Sequence, residues 1–286
     1  MKHKIIFLII LTQLFLIIFL GSIVSYKILK NKGILGVSIN PIEKKYTVSN
    51  PASKLKYFYE PGEDTYQVIE MRWENTNGPE KPIYKINNDG LNQESNYLAD
   101  NKQEGVYRIL TLGDSFTFGD NVNTEDNYPS QLQKILNSQC KNTKFEVINL
   151  GVYGYDIQYA VERYRLRGKK YNPDLVLWFI IDDDILRLEE LLIPKMKSYE
   201  NKFKNTNEDL VSIREGKYNS SYHLARDDVI REVGVENIMK LQRQYMEEMN
   251  DYFQGNLVLF TFPYVSSEYK KFLKDFTDSR DNSFFL

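Results

Sequence analysis

The stretch from Arg108 to Asp120 reads RILTLGDSFTFGD, and its reading decides the fold. Ile109 to Leu112 is an apolar run of β type, and Gly113-Asp114-Ser115 then turns the chain. Phe116 to Gly119 leads on into a loop or a helix start. A serine set just past the carboxyl end of a strand stands where open α/β sheets keep their sites. Its small neighbours would leave the hydroxyl exposed and let the serine's own N–H face an oxyanion.

Outward from this stretch the chain alternates strand and helix. Val106 to Leu112 is the first sheet strand, and Tyr128, Leu132, Ile135 and Leu136 then mark one face of a helix with Pro129 near its start. Phe145 to Leu150 is the next strand. Asp156 is a helix N-cap, followed by Ile157, Ala160, Val161 and Tyr164 on the inner face and Gly168 at the end. Leu175 to Ile181 is a continuous apolar run, as suits a strand covered on both faces. Ile238, Leu241, Tyr245, Met249 and Phe253 keep a helical stripe, and Leu257 to Phe262 is the last clear strand, closed by Pro263. Strands separated by helix-length segments predict a parallel sheet in a three-layer α/β domain.

Composition narrows the function. The 286 residues carry 42% hydrophobic and 27% charged residues and a formal net charge of -2, so nothing marks a nucleic-acid binder. The single Cys140 excludes an internal disulfide and a multi-cysteine metal site, and reads as a small packing group. Only two histidines exist, His3 and His223.

At the amino end, Ile5 to Val24 is 20 residues without a charge, long enough to cross a bilayer as a helix. It reads as an uncleaved anchor, with a cleaved signal peptide and a buried soluble helix as the alternatives. Lys2 and Lys4 flank one side and Lys27, Lys30 and Lys32 the other, so the charge bias does not itself fix the orientation. The expected organisation is a transmembrane anchor at 1–27, a tether at 28–55, a β-rich lead-in at 56–104 and the α/β domain at 105–286. In the lead-in, Tyr57 to Tyr59, Tyr66 to Trp73 and Pro82 to Ile86 are the short β-type pieces, and their aromatics read as packing residues.

Two further stretches follow strands and could carry chemistry. Asn149-Leu-Gly-Val-Tyr-Gly154 offers a glycine N–H that can approach a ligand closely, or simply a tight turn. Asp182-Asp183-Asp184 could bind a metal, act as base or be a solvated loop. Adjacent side chains point in different directions, which argues against a metal site built from the triplet.

Gly113 to Gly119, then Val147 to Gly154, then Pro173-Asp174-Leu175-Val176 running into Asp183-Asp184-Ile185, resemble in order and spacing the blocks of the SGNH (GDSL-type) hydrolase family. Ile86 to Leu91 resembles the lead-in of membrane-tethered bacterial members. The resemblance covers about Ile83 to Pro263. It implies a flavodoxin-like three-layer fold and ester hydrolysis by a serine nucleophile, with no metal or organic cofactor. Ser115 matches the nucleophile and Gly154 the glycine whose N–H is an oxyanion donor. Asp183 stands at the position of the family's asparagine donor, where an ionised carboxylate would repel an oxyanion.

The family's base lies in an Asp-x-x-His segment near the carboxyl terminus, and no such segment precedes Leu286. Phe284 to Leu286 resembles the short apolar piece ahead of it, so the sequence is expected to be incomplete at that end. His223 reads as a surface or partly packed residue, and His3 belongs to the anchor. The leading expectation is a membrane-anchored serine esterase acting on O-acyl groups of cell-envelope glycans, with its globular domain on the outer side and with little or no activity in this form. An O-acyltransferase fits the same residues. The rivals are a membrane-tethered binding or scaffold module on the same fold, and a flavodoxin-like domain using Gly113 to Gly119 as an anion loop.

Overall fold

The computed structural model describes residues 47–61, 84–97, 99, 102–120, 122–204 and 210–286. The anchor expected at Ile5 to Val24, most of the tether and the Tyr66 to Trp73 piece lie outside them. Among the described residues, no helix is long and apolar enough to cross a membrane.

Strand β1 (Thr47–Ser49) pairs antiparallel with β2 (Tyr59–Pro61). The main sheet is built from β3 (Val106–Leu112), β4 (Lys144–Asn149), β5 (Leu175–Phe179), β6 (Asn256–Phe260) and β7 (Ser283–Phe285). Its order is β4-β3-β5-β6-β7 and every pairing is parallel. The helices are α1 (Ser115–Phe118), α2 (Tyr128–Gln139), α3 (Ile157–Arg163), α4 (Asp182–Leu186), α5 (Glu189–Lys204), α6 (Leu210–Val233), α7 (Val235–Tyr252) and α8 (Ser267–Asp278).

The period of two sorts the strands onto two cores. Leu110, Leu112, Ile148, Val176, Trp178, Leu257 and Leu259 pack toward α3, α7 and α8, which contribute Ala160, Val161, Met246, Met249, Leu273 and Phe276. On the opposite face Ile109, Val147, Leu175, Leu177, Val258 and Phe260 meet Leu132 and Leu136 of α2, with Cys140 packed against them. Phe284 and Leu286 at the β7 edge stay 40% and 42% exposed. Order and direction together set the site. From β3 the chain steps outward to β4 and then crosses back to β5, so a crevice opens between the carboxyl ends of β3 and β5, the place where open α/β sheets bind ligands.

Several expectations shift in detail. β5 stops at Phe179, because Ile181 becomes the N-cap of α4. The helix expected to run to Gly168 changes at Tyr164 into a π turn, and Gly168 itself is pressed against Leu150 and Tyr164, each 2.7 Å from where a Cβ would stand. The strand expected over Leu257 to Phe262 ends at Phe260 and is not the last, since α8, capped by Ser266 on the Tyr269 N–H, and a fifth strand follow Pro263.

Polar stitching holds the preceding segments to the sheet. Asn92 donates to the Phe118 carbonyl (2.9 Å), and its own carbonyl accepts from Asn127 and Asn149. Glu60 receives Arg163 at 2.6 Å and Arg167 at 2.9 Å. Within the sheet, Arg108 reaches its register partner Glu146 through Nε (2.9 Å) and Nη2 (2.7 Å), both side chains being buried.

Candidate active site

Ser115 is the first residue of α1, directly above the β3 end of the crevice. Gly113 makes the turn possible. Its φ is +146°, and a Cβ there would stand 2.2 Å from Thr117 Oγ1 and 2.8 Å from the Phe179 carbonyl at the end of β5. Asp114 caps α1 by accepting the Phe116 N–H at 3.0 Å, and Gly119 ends the helix in the left-handed region. Ser115 is half-buried, and among the described residues neither its N–H nor its hydroxyl has a hydrogen-bond partner.

The loop after β4 is pinned to this turn. The Val152 N–H donates to the Gly113 carbonyl (3.2 Å), and Gly151 lies so close to α1 that a Cβ would meet the Phe118 nitrogen at 2.3 Å. Gly154 has φ +76°, with Tyr59 Oη at 2.8 Å and Arg187 Nη1 at 3.8 Å from its would-be Cβ. The Gly154 N–H also has no acceptor among the described residues. Two N–H groups, one at Ser115 and one on the adjoining loop, are thus without an acceptor among the described residues.

The Asp182 to Asp184 triplet spreads its carboxylates apart, as consecutive helical residues must. Asp182 is exposed, Asp183 faces the cations below, and Asp184 is buried, folding back onto the Ile181 N–H at 3.0 Å. Among the described residues no three His, Cys, Asp or Glu side chains group so as to hold a metal ion. Asp183 pairs with Arg187, with Arg226 (3.2 Å to Nε) and with the Tyr222 hydroxyl, at 2.8 and 2.9 Å to its two oxygens. Burial works against its charge, but Arg187, Tyr222 and Arg226 together hold the carboxyl below its ordinary range. It is an acceptor already spoken for, and it has no proton to donate to an oxyanion.

The groups behind it titrate the other way. Burial pushes Asp114 up to about 6 against the Phe116 N–H and Arg187. Burial and the neighbouring Asp114 charge raise Asp184, whose Oδ1 has no hydrogen-bond partner among the described residues. Glu189 is pushed up to about 8 by burial, with Arg187 opposing. Arg187 stands among these acids, its own acidity further weakened by Asp183, Tyr222 and Glu189 although burial acts against its charge.

Sequence reasoning placed Ser115, Gly154 and Asp183 around one crevice, and the fold does bring these loops together. It missed Arg187, Tyr222, Arg226 and Tyr59. Asp183 and Arg187 are four apart, as are Tyr222 and Arg226, and that helical spacing was the available signal. For Tyr59, reaching Gly154 from β2, no local signal exists. His223 is exposed on α6 with its ring against Tyr222, 5.3 Å between centroids. Phe116, the residue after the serine and 49% exposed, meets Phe262 at 5.0 Å, and Tyr264, 74% exposed, stacks on Phe262 at 5.0 Å.

No protein-family model and no curated protein matches the chain. Among solved structures it is similar at low identity to SGNH-hydrolase esterases. AlinE4, an SGNH-hydrolase family esterase, is 14% identical with a TM-score of 0.40, over 65% of this chain and 77% of that one. A catalytic mutant of Axe2, an acetylxylan esterase from Geobacillus stearothermophilus, is 15% identical with a TM-score of 0.38, over 63% and 75%. TesA is 12% identical with a TM-score of 0.36, over 60% and 71%.

Proposed function

We propose that this chain carries a serine ester-processing site in which Ser115 is the nucleophile and the N–H groups of Ser115 and Gly154 receive the oxyanion. The observation that carries the reading is a half-buried serine at the end of β3 whose N–H has no acceptor among the described residues, with the loop that holds Gly154 tied to the same turn through Val152 and Gly113. The Ser115 hydroxyl attacks an ester carbonyl, an acyl-enzyme forms with release of the alcohol, and water then releases the acid. A sugar hydroxyl in place of that water makes the same site an acyltransferase.

A base completes the reaction. Among the described residues no histidine hydrogen-bonds to Ser115. In this reading Ile5 to Val24 anchors the chain with the domain outside, and the substrate is an O-acylated envelope glycan.

The test supplies the base from solution. With imidazole present, the chain should hydrolyse p-nitrophenyl acetate beyond the rate of imidazole alone, and Ser115→Ala should abolish the excess. Equal rates for the two proteins would reject Ser115 as nucleophile.

A further inference from the structure

Asp183 stands where the resemblance puts an asparagine donor, and its carboxyl is held below its ordinary range by Arg187, Tyr222 and Arg226 against burial. The strongest unused donor nearby is Arg187. Its Nη2 is taken by Asp183 and by the Tyr222 hydroxyl at 3.0 Å. Its Nε lies 3.4 Å from Glu189 Oε1. Its Nη1 has no acceptor among the described residues, and it lies 3.8 Å from the point where a Cβ on Gly154 would stand. The side chain is only 14% exposed, so the fork is fixed in place.

We propose that Arg187, not Asp183, supplies the third donor to the oxyanion of a Ser115 adduct, through Nη1. The proposal deepens the serine reading above and rests on it. Asp183 then becomes a positioning residue: with Tyr222 and Arg226 of α6 it holds one edge of the guanidinium and leaves the other turned to Gly154. The local chemistry differs from that of an amide donor. A guanidinium brings a full charge, and a charge-assisted hydrogen bond is roughly twice as strong as a neutral one. The surrounding acids are Asp114, Asp183, Asp184 and Glu189, and Arg226 is the second cation on Asp183. Of these acids only Asp183 is held below its ordinary range, so the guanidinium keeps positive charge available for negative charge that develops on the substrate oxygen.

The test uses the rate at which an alkyl phosphonofluoridate labels Ser115 in imidazole buffer. The serine oxygen bonds to phosphorus, fluoride leaves, the hydroxyl proton passes to imidazole, and the phosphoryl oxygen takes the oxyanion's place. The adduct is read by mass on the peptide containing Ser115. Arg187→Ala should slow labelling about 100-fold or more, the usual effect of losing one such donor. Methylguanidinium added to that variant should restore part of the rate. Arg187→Lys, which keeps the charge without the fork, covers the case in which Arg187→Ala does not fold, and should label at least about tenfold slower than the wild type. Labelling of either folded variant at the wild-type rate overturns the proposal and leaves the serine reading standing. A folded wild-type protein that gives no Ser115 adduct rejects the serine reading, and the Arg187 role falls with it.

Discussion

Replacing Asp183 with asparagine would put back the residue type that the sequence pattern expects, and the structure says that this should harm the protein. The carboxylate accepts from Arg187 and Tyr222 and pairs with Arg226. A charged hydrogen bond is worth about 1.5–3 kcal/mol, and breaking a fully buried pair costs about 3–5 kcal/mol. Asp183 is 29% exposed and an amide keeps one acceptor oxygen, so part of each value is lost to solvent screening or retained. The expected cost of Asp183→Asn is therefore about 2 kcal/mol in urea unfolding at pH 7. Because Tyr222 and Arg226 lie on α6, hydrogen exchange should quicken over the carboxyl half of that helix. The pH dependence has a definite sign. The folded carboxyl titrates below its ordinary 3.8, so its contribution is full above that value and fades as pH falls through the folded value. The gap between the two proteins should stay constant from pH 7 to 5 and close only below about 3.8. An asparagine variant as stable as the wild type, or a gap that widens in acid, would refute the account of Asp183 as an ionised anchor.

Other perturbations probe the frame around the site. Gly113→Ala forces a Cβ to 2.2 Å from Thr117 Oγ1 at a φ of +146°, and should cost about 2–4 kcal/mol in urea unfolding; an unchanged midpoint would show that the turn can relax. Glu60, held near 2 by Arg167 and Arg163 despite burial, should contribute about 3 kcal/mol that is complete above 4.5 and lost as pH falls toward 2. Glu60→Gln should remove that acid dependence, and a variant retaining it would place its origin elsewhere. Arg108→Met leaves Glu146 buried beside an apolar chain and should cost about 3–5 kcal/mol, while Arg108→Met with Glu146→Leu should recover most of it. A double variant no better than the single one would mean that the hydrogen bond from Arg108 to the Tyr171 carbonyl carries the stability instead.

The difference between the legible and illegible parts of this molecule follows the range of the forces involved. Ile109 to Leu112 and Leu175 to Phe179 could be read as strands because burial on two faces leaves continuous apolar runs, a property of adjacent residues. Asp156 could be read as a cap because a cap bonds within its own first turn, here to the Tyr159 N–H at 2.8 Å. The protonation state of Asp183 is not local in this sense. It is set by Arg187 four residues away and by Tyr222 and Arg226 about forty residues away, on a helix that the apolar pattern did not single out. Alignment of blocks along the chain can therefore assign a residue to a place in the site without assigning its charge. At this position charge matters: a carboxylate clamped by two guanidiniums has no proton to donate. Gly154 and its neighbours differ in the same way. Its φ of +76° is a backbone demand that glycine answers in the sequence itself, whereas Tyr59 and Arg187 reach it from β2 and from the end of α4 only once the sheet has formed.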